Sequence, residues 1–87
     1  MECGTHIYDN ITRPKVDLIL QKLTEGDAAV SGPPDGPWDI DTRNSGVKLR
    51  AGWDAANSKL SVTVTDKKFY VPCEKVWTKI DALMAQV

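Results

Sequence analysis

Between Gly46 and Thr65 apolar and polar residues alternate in two consecutive runs. Val47, Leu49, Ala51 and Trp53 fall on one side of the first run, and Leu60, Val62 and Val64 on one side of the second. Lys48, Arg50, Lys59, Ser61, Thr63 and Thr65 take the opposite side. Successive residues of a strand point to opposite faces, so this pattern predicts a hairpin with one buried face and one wet face. A lone hairpin is marginal in water, and its apolar face needs a cover.

Two amphipathic segments supply that cover. Val16, Ile19, Leu20 and Leu23 follow the i, i+3, i+4, i+7 spacing of a helix with one apolar stripe. Thr12 is its expected N-cap, Pro14 sits in the first turn, and Thr24-Glu25-Gly26 ends it, with Gly26 suited to a left-handed turn. A second helix is marked by Cys73, Val76, Trp77, Ile80, Leu83, Met84 and Val87. Pro72 marks the switch from strand to helix, and Glu74 in the first turn suits the helix dipole.

The remaining segments complete the layout. Within residues 1–11, Ile7, Tyr8 and Ile11 predict a short edge strand or docked arm, and residues 27–37, DAAVSGPPDGP, predict a long Pro/Gly-rich loop. Trp38 to Arg43 alternates as a strand turning at Asn44-Ser45-Gly46, and Asp54 to Ser58 joins the next two strands. A tight turn at Asp66-Lys67 is expected to lead into a short last strand, Lys68 to Val71.

Strands grouped in a meander with helices at both ends predict an α+β fold. The expected architecture is two-layer, α-β-β-β-(β)-α, an antiparallel meander with both terminal helices packed on one face, in a single domain over residues 1–87. In element order the chain resembles compact helix–meander–helix bacterial families, among them the polyhydroxyalkanoate-system proteins. That likeness is one of layout and brings no site residue with it.

Composition adds little beyond an ordinary globular chain: 41% hydrophobic and 26% charged, with a net charge of −1. Residues 1–41 hold eight acids and three bases, while residues 42–87 hold four acids and eight bases. The strand half is thus mildly basic, and solvated surface is the simplest explanation. No apolar run approaches a membrane span of roughly 20 residues, and the start of the chain lacks a secretory leader pattern. Cys3 and Cys73 allow one bridge but, without regular spacing, do not make a disulfide framework. Cys73 falls on the apolar stripe of the last helix as a buried thiol would, which suggests a reduced, cytoplasmic setting.

Candidate chemistry is sparse. Cys3, His6 and Cys73 contain no paired metal-binding motif, and His6 is the only histidine that could serve a cysteine nucleophile. Asp39 and Asp41 share one strand face and read as solvated carboxylates. GPPDG has prolines where a phosphate loop wants free N–H groups. Bases cluster on the polar sheet face, but alternation places Trp38, Trp53 and Phe69 on the core side, which argues against nucleic acid. The expectation is a non-enzymatic domain with no metal and no cofactor. It would bind protein, or itself, through a sheet edge or aromatic patch. The alternative is a carrier or sensor taking an apolar small molecule between helices and sheet. The candidate surface comprises Trp38, Trp53, Tyr70, Trp77 and Arg50, with Trp38 and Trp53 nearest to element ends.

Overall fold

The computed structural model describes residues 3–43 and 46–87. Strand β1 (Thr5–Tyr8) is followed by helix α1 (Arg13–Glu25), strands β2 (Ala29–Ser31), β3 (Trp38–Asp41), β4 (Val47–Asp54) and β5 (Lys59–Lys67), and helix α2 (Cys73–Met84). The strands form one sheet in the order β1-β5-β4-β3-β2, and every pairing is antiparallel. The chain starts at one edge of the sheet and crosses by α1 to the other. It then returns strand by strand, so that β5 meets β1.

Register fixes the faces. Trp38 pairs with Ala51, Ile40 with Leu49, Ala51 with Val62 and Leu49 with Val64, so the apolar positions share one side. Val16 and Ile19 of α1 and Val76, Trp77 and Ile80 of α2 join these residues in a single buried cluster. Both helices therefore cover the same face. The opposite face carries Asp39 beside Arg50 and Asp41 beside Lys48, with Lys48 also facing Asp66. Opposite charges across strands balance the acidic and basic halves of the sequence on one mixed surface.

Four expectations need correction. The 27–37 loop contains β2, whose Val30 pairs with Ile40 and lengthens the sheet at its edge. Three residues are too few to show a period. Beyond β2, a side chain on Gly32 (φ +139°) would run into the Pro37 carbonyl, so the return to β3 requires glycine there. At the end of α1 the left-handed residue is Asp27 (φ 66°), not Gly26 (φ −85°). Strand β5 runs on through Lys67 past a bulge at Thr65, because Lys48 pairs with Asp66 while Leu49 pairs with Val64. Residues 68–71 consequently form a turn rather than a last strand. The Asn44-Ser45 part of the β3–β4 turn lies outside the described residues, while Gly46 beside it has φ +66°.

The cysteines give the fourth. Cys73 is not a free thiol: it is bonded to Cys3, with Cα atoms 5.3 Å apart. The tail before β1 is thereby held against the first turn of α2.

Candidate functional site

Beneath α1 the interior is closed. Val16, Leu20, Trp38 and Leu60 surround a void of only about 10 Å³, no larger than the space a single water needs. Beneath α2 the two layers part. A groove of about 300 Å³ runs between α2 and the sheet at the end near the β3–β4 turn. That volume lies at the lower end of small-molecule sites.

The groove follows from where the elements stop. β5 ends at Lys67, and the turn over residues 68–71 carries the chain up to Pro72, which caps α2 with an extended backbone. Val47 and Leu49 of β4 and Val76 and Ile80 of α2 provide apolar walls, and Tyr70 and Val71 close one side. Val47, Leu49, Val76 and Ile80 are themselves buried, so the surface a ligand first meets is made by the exposed Tyr70, Pro72, Lys75 and Lys79. Lys75 and Lys79 line the groove beside these apolar walls, and both are exposed. A wider hollow of about 700 Å³ borders β5 beside Gly4; Val64 and Phe69 share its lining with Thr5, Thr63, Thr65, Asp66 and Lys67, so its walls are evenly mixed where those of the groove are mainly apolar.

Phe69 and Tyr70 project from the same turn. Their rings meet edge to face at 5.5 Å, and they remain 94% and 69% exposed. Alternation placed Phe69 on the core side; the end of β5 at Lys67 and the turn after it put it in solvent instead.

The five candidate residues do not converge. Trp38 (3% exposed) and Trp77 (8%) are interior. Trp77 donates from Nε1 to the Cys3 carbonyl at 3.2 Å, and His6 stacks on its ring at 3.6 Å with planes 5° apart. Trp53 is half-buried; its Nε1 donates to the Ile11 carbonyl at 2.8 Å, and the Arg13 guanidinium lies 5.6 Å from its ring centre. Arg13 also binds Asp17 and Asp35 and the Pro34 carbonyl, fastening the proline loop to α1. Arg50 lies on the outer face of the sheet, opposite Asp39 and Thr63. Only Tyr70 borders the groove. Reading the sequence missed Val71, Pro72, Lys75 and Lys79. The available signal was two lysines one helical turn apart, interleaved with Val76 and Ile80.

The disulfide takes up two of the three candidate ligands or nucleophiles, and stacking on Trp77 occupies one face of His6. Among the described residues, no three His, Cys, Asp or Glu side chains converge as a metal site. Two groups titrate away from their ordinary range. The Tyr8 hydroxyl is pushed up, by burial first and then by its hydrogen bond to Asp81 and the charge there. The Asp54 carboxylate is held low by the hydrogen bond from the Asn57 side chain. Neither lines the groove.

Among the described residues, no helix is long and apolar enough to cross a membrane. No protein-family model, no curated protein and no solved structure matches the chain. The functional reading therefore rests on geometry.

Proposed function

We propose that this chain is a non-enzymatic binding domain that takes an apolar small molecule in the groove between α2 and the sheet. One observation carries the reading: the helix-to-sheet layer is closed beneath α1 but opens beneath α2 into a space of about 300 Å³ with apolar walls. Among the described residues, those lining the groove include no histidine, cysteine or carboxylate, which suits holding a molecule better than breaking its bonds. Titration with 1-octanol, followed by calorimetry, should give saturable one-to-one binding. No saturation up to the solubility limit of octanol would remove the reading.

The exposure of Phe69 and Tyr70 favours a second reading, docking of a protein or of another copy of the chain through an aromatic patch. Light scattering over a concentration series tests the self-association form. A dimer lost in the F69S/Y70S double variant supports it, and a strict monomer at all concentrations rules it out. The Cys3–Cys73 bridge supports an oxidising compartment over the reduced, cytoplasmic setting that two unspaced cysteines suggest.

A further inference from the structure

We infer that the groove's ligand is an apolar chain with an anionic head, its tail against Val76 and Ile80 and its head between Lys75 and Lys79. This deepens the groove reading and depends on it. Helix α2 sorts its charges by flank. At 100° per residue, Lys75 and Lys79 fall on the flank that borders the groove, and Glu74 and Asp81 on the other. Asp81 Oδ1 accepts the Tyr8 hydroxyl of β1 at 2.8 Å, which fixes the acidic flank on the side away from the groove.

The lysine flank has no counter-charge of its own among the described residues. Among the described residues no carboxylate lines the groove and neither lysine forms an ion pair. Like charges one turn apart weaken a helix, so an anion bridging them would relieve a repulsion built into α2. An apolar trough ending in two ammonium groups is complementary to an amphiphile with a negative head. A neutral chain leaves the repulsion in place, and a cationic head adds to it.

Three probes with the same tail separate the tail from the head: 1-octanol, octanoate and octylammonium, titrated at neutral pH and low salt. Octanoate should bind at least about threefold tighter than octanol, and octylammonium more weakly than octanol. The preference should shrink in roughly 0.5 M sodium chloride, where exposed charges are screened. In K75Q/K79Q the preference for octanoate over octanol should disappear, whatever the change in octanol binding itself. Both lysines are exposed, and the head-group and salt series need no variant at all. If octanol binds and octanoate binds no tighter, the inference is overturned and the groove reading stands. If the preference survives K75Q/K79Q, the head lies elsewhere and the inference is also overturned. If none of the three binds, both fall.

Discussion

Cys3 and Cys73 are bonded across 70 residues of sequence, and the bond fastens the tail before β1 to the first turn of α2. Two contacts beside it reinforce the attachment, the Trp77 Nε1 bond to the Cys3 carbonyl and the His6–Trp77 stack. Together they hold the last helix to the strand at the far edge of the sheet.

Opening the bridge should therefore loosen α2 before it loosens α1. In the chain-entropy view a closed loop of this length is worth on the order of 4–4.5 kcal/mol of stability. C3A/C73A is expected to lose about that much in chemical denaturation, with amide exchange rising first in α2. A loss below about 1 kcal/mol would mean that the two aromatic contacts alone hold the tail.

Tyr8 supplies a second tie between β1 and α2, through Asp81. Its hydroxyl is held above its ordinary pKa, so the folded chain keeps the proton after the unfolded chain has lost it. This contribution is complete below about pH 10 and is lost as pH rises from there toward the folded value. Stability measured between neutral and strongly alkaline pH should fall less steeply in Tyr8→Phe than in the parent. Parallel curves would show that neither burial nor the bond to Asp81 holds the hydroxyl above its ordinary pKa in solution.

Register is open to a simple pair of substitutions. Val62 is 3% exposed beneath the helices, so Val62→Asp should cost several kcal/mol, enough to unfold much of the population. Thr63 points to the wet face, opposite Arg50, and shares a hydrogen bond with Thr5 at 2.7 Å. Thr63→Asp should change stability by less than about 1 kcal/mol. Reversed effects in thermal melts would place the strand one residue out of step.

Gly32 tests the return from β2 to β3. Gly32→Ala drives a methyl into the Pro37 carbonyl at a positive φ, and a loss of about 1–3 kcal/mol is expected. An unchanged melting temperature would mean that this turn differs from the one described.

Period carried most of the architecture. Alternation from Val47 to Val64 and the stripes of Val16–Leu23 and Val76–Ile80 depend on burial over many residues, and burial leaves a repeating mark in sequence. The features it missed are short or set by long-range partners. β2 is three residues in a Pro/Gly stretch, and its pairing with β3 is decided by Val30 meeting Ile40. Phe69 and Tyr70 look like a strand, but the bulge at Thr65 and the end of β5 at Lys67 turn them outward. The cysteine pairing depends on where residues 70 positions apart meet.

The groove was the least legible part. It is a gap between elements, and no residue type announces a gap. Trp38 and Trp77 drew attention because large rings are conspicuous, yet large rings are what a small core needs most, and both are buried. Lys75 and Lys79 look like ordinary solvent-facing lysines until Val47 and Leu49 are placed across from them.

Isotope-filtered NMR on the protein with 1-octanol reads the location of the tail directly. The account predicts contacts from the octanol methyl to the side chains of Val47, Val76 and Ile80. Contacts to Trp53 and Arg13 instead, or to the outer face around Arg50 and Thr63, would contradict it.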